Sequence, residues 1–214
     1  MISEKYMFTG IVQSALKIDS IEKKSGLWTL ALSLPASMLS GLEIGASIAL
    51  NGACLTVTQI TPNENGAQVT FDVMMATLNL TNLNQLEENT LVNVERAARF
   101  GDDIGGHQLS GHVFTTVNVV DIERPENNCI IWFELTDAIK PYVFDKGYIG
   151  LNGCSLTIAQ VKDDRFCVYL IPETLNITTY KDVEVGTSIN LEIDTQTQVI
   201  VDTVERMLKQ KQLG

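Results

Sequence analysis

The feature that most constrains this chain is that it contains itself twice. Ile48-Ala49-Leu50-Asn51-Gly52-Ala53-Cys54-Leu55-Thr56-Val57 returns as Ile149-Gly150-Leu151-Asn152-Gly153-Cys154-Ser155-Leu156-Thr157-Ile158, 101 positions later and with six of ten residues identical. At the same offset Thr9-Gly10-Ile11-Val12 returns as Ser110-Gly111-His112-Val113. Further along the spacing falls to 97. There Thr77-Leu78-Asn79-Leu80-Thr81 returns as Thr174-Leu175-Asn176-Ile177-Thr178, and Asn93 and Glu95 as Asn190 and Glu192. Such a repeat requires two copies of one stable unit. The drop in spacing means four extra residues in the first copy, and Thr61-Pro62-Asn63-Glu64-Asn65-Gly66 reads as an enlarged turn that holds them.

Within each copy the hydrophobic period is two. Trp28, Leu30, Leu32 and Leu34 share one strand face, as do Val69, Phe71 and Val73, then Phe166, Val168 and Leu170, then Ile189, Leu191 and Ile193. These runs are short and broken by Gly, Pro, Asn and Asp, which predicts small antiparallel barrels or sandwiches rather than βαβ units. Pro172-Glu173-Thr174-Leu175 reads as a helix start. Gln198 to Lys209 is an amphipathic helix with Ile200, Val204, Met207 and Leu208 on one side. It lies outside both copies, so it either straps a barrel or packs on other copies of itself. The copies join near Ala98 to Gly106.

Several function classes are excluded at this level. A formal net charge of −11 repels a nucleic-acid backbone. No apolar run approaches the roughly 18 residues of a membrane span, and Met1 to Tyr6 lacks the apolar core of a secretory signal. Cys54, Cys129, Cys154 and Cys167 form no C-x-x-C pair and show no zinc spacing with the two histidines, so reduced cytoplasmic thiols and no metal site are expected. Gly105-Gly106-His107 lacks the pattern of a phosphate-cradling loop.

Six segments, taken in order, resemble the riboflavin synthase family: Met7-Phe8-Thr9-Gly10-Ile11-Val12; Asn51-Gly52-Ala53-Cys54-Leu55-Thr56-Val57-Thr58; Val92-Asn93-Val94-Glu95-Arg96-Ala97; Gly105-Gly106-His107 to Ser110-Gly111-His112; Ile171-Pro172-Glu173-Thr174-Leu175; and Glu192-Ile193-Asp194-Thr195-Gln196-Thr197. The match runs from Met7 to about Met207. It implies an all-β fold of two tandem six-stranded antiparallel Greek-key barrels, related by duplication, plus the C-terminal amphipathic helix. The implied domains are a lumazine-binding barrel over 1–98, a second over 99–196, and an oligomerisation helix over 197–214.

The resemblance also implies a homotrimer in which each barrel holds one 6,7-dimethyl-8-ribityllumazine. The reactive pair then forms between the first barrel of one subunit and the second barrel of a neighbour. A four-carbon unit passes from one lumazine to the other, giving riboflavin and 5-amino-6-ribitylamino-uracil. No metal or organic cofactor is implied, because the lumazine ring delocalises the charge left when its 7-methyl group loses a proton. The protein's tasks are orientation, which in favourable cases lowers a barrier by roughly 7–11 kcal/mol, and stabilisation of the anion.

Implied substrate contacts fall on matching segments. Gly10, Ile11 and Val12 match Gly111, His112 and Val113. Cys54, Leu55 and Thr56 match Ser155, Leu156 and Thr157. The rim Asp72, Val73, Met74, Met75, Ala76 and Thr77 matches Leu170, Ile171, Pro172, Glu173, Thr174 and Leu175. Thr77 and Thr174 are expected to open short helices. Lys146 is matched to a ligand-contacting lysine. Donor and acceptor lumazines have different fates, so differences between the copies carry the chemistry: Cys54 against Ser155, Ile11 against His112, Ser47 against Tyr148. Cys54 is a nucleophile at ring carbon C7, a hydrogen-bonding wall, or a core residue. His107 and His112 are read as proton handlers, Asp194 as a partner for Ser155, and Phe8 as a barrel cap or a stacking surface.

Two departures stand out. Six residues precede Met7, where the family normally starts. Ala76 stands where a Glu is usual, while its counterpart Glu173 is kept. The competing expectations are a non-catalytic relative, like the lumazine and yellow fluorescent proteins of luminous bacteria, or a two-barrel scaffold. The fluorescent proteins tend to erode the second site, whereas this chain keeps Ser155, Thr157, His107, His112 and Pro172 to Leu175.

Overall fold

The Asn-Gly pairs decide the local geometry of each copy. Asn51 and Gly52 have φ of 45° and 78°, and Asn152 and Gly153 have 43° and 80°. Two consecutive positive φ values make the tight two-residue turn that joins twisted antiparallel strands. Leu50 accordingly pairs with Ala53, and Leu151 with Cys154.

In the computed structural model, which describes residues 7–99 and 101–212, these turns sit in two closed barrels. The first contains β1 (Ser14–Lys24), β2 (Leu27–Pro35), β3 (Ser47–Leu50), β4 (Ala53–Asn63), β5 (Gly66–Met74) and β6 (Leu91–Arg96), in ring order β1-β2-β5-β4-β3-β6. The second contains β7 (Thr115–Glu123), β8 (Cys129–Glu134), β9 (Tyr148–Leu151), β10 (Cys154–Val161), β11 (Arg165–Leu170) and β12 (Ser188–Ile193), and closes in the same circuit. Short helices α1 (Met75–Leu80) and α2 (Pro172–Ile177) follow β5 and β11, and α3 (Thr195–Gln212) ends the described chain. Thr77 and Thr174 lie inside the first turn of α1 and α2 rather than at their starts.

The alternating residues point inward and fill both barrels. Leu30, Leu32, Leu34, Val69, Phe71 and Val73 pack the first, and Ile131, Phe133, Phe166, Val168, Ile189 and Leu191 the second. Each such burial contributes roughly 1.5–3 kcal/mol, and an interior so packed has no room for a heterocycle. Any ligand place therefore lies on the walls and rims.

The four extra residues of the first copy do not enlarge a turn. β4 and β5 stay paired as far as Asn63 and Gly66, leaving only Glu64 and Asn65 between them. The second copy's ladder stops at Val161 and Phe166. The insertion lengthens the strands because alternation continues through Thr61 and Gln68, and a two-residue turn closes them. The six residues before Met7 lie outside the described residues.

The barrels are joined by a pseudo-twofold interlock. The Nδ2 of Asn93 donates to the Asn152 carbonyl (2.9 Å), and that of Asn190 donates to the Asn51 carbonyl (2.8 Å). Asn93 Oδ1 accepts from Thr179 N–H (2.8 Å), and Asn190 Oδ1 from Asn82 N–H (2.7 Å). Gly52 and Gly153 meet at the axis, where an added Cβ on Gly52 would stand 2.6 Å from the Gly153 nitrogen. Both linking asparagines are 1% exposed, and every buried amide there that loses its partner costs about 1–3 kcal/mol.

Helix α3 extends beyond the expected Gln198–Lys209 at both ends. Asp194 supplies its start: Oδ2 accepts the Thr197 N–H and hydroxyl, both at 2.8 Å, a capping arrangement worth about 1 kcal/mol. The helix touches the second barrel through Tyr142, whose hydroxyl donates to Asp202 Oδ1 at 2.6 Å. Val199, Ile200, Val204, Met207 and Leu208 remain 50–64% exposed, so within one chain the apolar stripe is not covered.

Candidate functional site

Each barrel has a place where neighbouring strands part. β4 pairs with β3 through Ala53–Thr56 and with β5 only from Val57 onward, so Cys54–Thr56 and Asp72–Met74 diverge beyond the Val57–Phe71 pair. β10 and β11 part in the same way beyond Ile158–Val168. We term these openings slot A, in the first barrel, and slot B, in the second. Slot A is edged by Cys54, Leu55 and Thr56, then Asp72, Val73, Met74, Met75, Ala76 and Thr77. Slot B is edged by Ser155, Leu156 and Thr157, then Leu170, Ile171, Pro172, Glu173, Thr174 and Leu175. On the rims Met74, Met75, Ala76, Ile171, Pro172 and Glu173 are exposed, whereas Leu55, Val73 and Leu170 are buried core.

The segment that closes each slot comes from the other copy. Cys54 N–H donates to the Gly111 carbonyl (2.9 Å), and Ser155 N–H to the Gly10 carbonyl (2.8 Å). Val113 packs into the first barrel's core and Val12 into the second's. Gly111–Val113 is thus the lid of slot A, and Gly10–Val12 that of slot B. The contacts require glycine: Gly10 and Gly111 have φ of 72° and 76°, and an added Cβ would stand 2.5 Å from the Cβ of Ser155 or Cys54 respectively. His112 and Ile11, the middle residues of their lids, are exposed.

The two slots carry different polar groups. In slot A, Ser47 on β3 is buried and hydrogen-bonds the half-buried Cys54 thiol. Burial pushes that thiol's pKa up, against the Ser47 hydrogen bond, and the Glu192 carboxylate raises it further. Cys54 therefore rests as a thiol, the weaker nucleophilic form. In slot B the same positions are Tyr148 and Ser155, and both engage His107. Its ring stacks on Tyr148 at 5.1 Å between centroids. Its Nδ1 is 2.6 Å from Ser155 Oγ, and its N–H donates to that oxygen at 3.0 Å. Burial lowers the His107 pKa, against the pull of Asp194, so the ring is a neutral proton acceptor. Its Nε2 has no hydrogen-bond partner among the described residues.

Three further expected residues have distinct positions. Asp194 caps α3, and the partner of Ser155 is His107. Phe8 is 1% exposed, bridging Leu109 between the barrels, which is a packing position rather than an open stacking surface. Lys146 is exposed in the turn before β9 with φ of 65°. Sequence reasoning named Tyr148 only as the counterpart of Ser47, and it missed Glu95 and Glu192, which hold the lids: Glu95 accepts from Thr9 and Gly10, Glu192 from Ser110 and Gly111. The recurrence of Asn93/Glu95 as Asn190/Glu192 was the available signal. Among the described residues no three of His, Cys, Asp and Glu gather as a metal site, and no helix is long and apolar enough to cross a membrane.

Fold and site define a tandem-barrel protein with two related but unequal small-molecule slots. The lumazine binding domain model matches residues 9–97 and again 110–194. The chain is 53% identical to the riboflavin synthase of Escherichia coli (strain K12) over 94% of this chain and 93% of that protein. It is 39% identical to the riboflavin synthase of Chlamydia pneumoniae, over 94% and 97% respectively. The crystal structure of LumP complexed with 6,7-dimethyl-8-(1'-D-ribityl) lumazine superposes with a TM-score of 0.77 at 27% identity, covering 87% of this chain and 98% of that one. The LumP complex with riboflavin gives 0.78 at 29%, with the same coverage. The chain belongs to the riboflavin synthase family.

Proposed function

We propose that this protein is a riboflavin synthase, converting two 6,7-dimethyl-8-ribityllumazine molecules into riboflavin and 5-amino-6-ribitylamino-uracil. The observation that carries this is the pair of slots with one architecture and two chemistries. Like molecules need like slots, while donor and acceptor roles need unlike polar groups. Slot B offers a neutral imidazole against a serine hydroxyl, suited to taking and returning a proton. Slot A offers a half-buried thiol and a buried hydroxyl, with His112 on its lid. The exposed α3 stripe supports a trimer built on this helix, and the exposed rims support a reactive pair formed between slot A of one subunit and slot B of its neighbour. Lys146 and Asp194 are assigned supporting roles at the edges of that pair. The site of action on this reading is the cytoplasm, where the four cysteines stay reduced.

The retained His107–Ser155 contact favours the enzyme over a non-catalytic fluorescent carrier, because a carrier needs no proton acceptor in its second slot. The deciding experiment is incubation of purified protein with the lumazine alone. Growth of riboflavin absorbance supports the enzyme. A stable fluorescent complex without turnover would establish the carrier instead.

A further inference from the structure

Two buried carboxylates stand directly behind the lids. Glu95 on β6 is 4% exposed and Glu192 on β12 is 5% exposed. Glu95 Oε1 accepts the Thr9 N–H (2.7 Å) and hydroxyl (2.8 Å), and Oε2 accepts the Gly10 N–H (3.1 Å). Thr9 Oγ1 then accepts the Ile11 N–H at 3.3 Å. Glu192 repeats the pattern on Ser110 N–H (2.6 Å), Ser110 hydroxyl (2.8 Å) and Gly111 N–H (3.1 Å), with His112 N–H on Ser110 Oγ at 3.2 Å. Each lid is therefore held on one side by a carboxylate of its own copy and on the other by a slot strand of the other copy.

We propose that Glu95 and Glu192 are positioning residues that act crosswise: Glu95, in the first barrel, sets the lid of slot B, and Glu192, in the second, sets the lid of slot A. The consequence for ligand rests on the lumazine reading of the slots, while the clamp itself does not. The glycine N–H of each lid and the N–H of the residue before it, Thr9 or Ser110, spend their hydrogen bonds on a carboxylate, while the glycine carbonyl faces Ser155 or Cys54. Replacing the carboxylate by an amide puts a donor against a donor and orphans one lid N–H. The lid then shifts, and the slot it closes loses shape although every residue lining that slot is intact.

The test compares Glu95→Gln and Glu192→Gln in the full chain, titrated with 6,7-dimethyl-8-ribityllumazine by fluorescence. Protection of Cys54 from iodoacetamide reports slot A, since Cys129, Cys154 and Cys167 are buried. Glu95→Gln is expected to weaken one of two sites about tenfold while ligand still protects Cys54. Glu192→Gln is expected to abolish that protection at the same ligand concentration. The reverse assignment, equal losses in both slots, or two unaltered sites would each overturn the proposal. Amide exchange without ligand keeps the clamp testable if the native protein binds no lumazine, an outcome that would strike the functional reading alone. Faster exchange at Gly10–Val12 in Glu95→Gln, with Gly111–Val113 unchanged, supports the clamp, and unaltered exchange refutes it. Should either Gln variant fail to fold, Thr9→Val and Ser110→Ala remove the hydroxyl link more gently and must give the same crosswise pattern.

Discussion

The Gly111 carbonyl accepts the Cys54 amide across the boundary between barrels, at 2.9 Å. With its counterpart, Gly10 to Ser155 at 2.8 Å, it makes each slot a joint product of both copies. Neither barrel carries a complete slot alone.

Gly111→Ala tests that relationship. The positive φ disfavours any side chain, and the new Cβ falls 2.5 Å from that of Cys54. The expected cost is about 2 kcal/mol or more in unfolding free energy, with loss of lumazine binding at slot A. A denaturation midpoint equal to that of the native protein would show the exchanged lid to be unimportant.

Cys54→Ala should leave the fold intact and slow turnover about tenfold, the loss of one buried hydrogen-bonding contact. The motive is the raised thiol pKa, which fits a wall better than an attacking thiolate. Unchanged steady-state rates would remove Cys54 from the chemistry, and collapse of turnover to the uncatalysed rate would assign it a covalent role.

Glu95 links stability to pH. Burial raises its pKa from 4.5 to about 7, against the hydrogen bonds from Thr9 and Gly10. The folded state thus binds this proton more tightly than the unfolded state does. The stabilisation is fully present below about pH 4.5 and is lost as pH rises through about 7, on the order of 3 kcal/mol in all. Denaturant melts from pH 4.5 to 8 should show the native protein losing ground to Glu95→Gln over that window. A constant difference between the two would disprove the linkage.

Charging the α3 stripe with Ile200→Glu and Met207→Glu should dissociate the proposed trimer, because both side chains are more than half exposed in the single chain and burying two unpaired carboxylates in a helix interface is prohibitive. Light scattering should then give the mass of one chain, and riboflavin formation should cease. A trimer mass for this variant would place the interface elsewhere.

Much of this was legible in the residues. The two copies, the Asn-Gly turns and the alternation of Leu30, Leu32 and Leu34 each follow from local rules, since a turn needing two positive φ values and a strand with one apolar face are properties of adjacent residues. The matching segments Cys54–Thr56 and Ser155–Thr157 were legible too, and neighbouring strands part along them. The lengthened hairpin was not, because a two-residue turn at Glu64-Asn65 and a six-residue loop contain the same amino acids. The cap role of Asp194 was hidden because Ser155 and Thr197 are equally plausible partners for a carboxylate at a strand end.

What the chain alone determined is two barrels of one design, each with a slot edge and a glycine-bearing lid. Which lid closes which slot was decided only by the tertiary structure. Duplication makes the two assignments equivalent in sequence: Gly10 bears the same relation to Cys54 as Gly111 bears to Ser155. Only the packing of Val12 and Val113 into opposite cores, with Gly52 against Gly153 at the axis, breaks that tie.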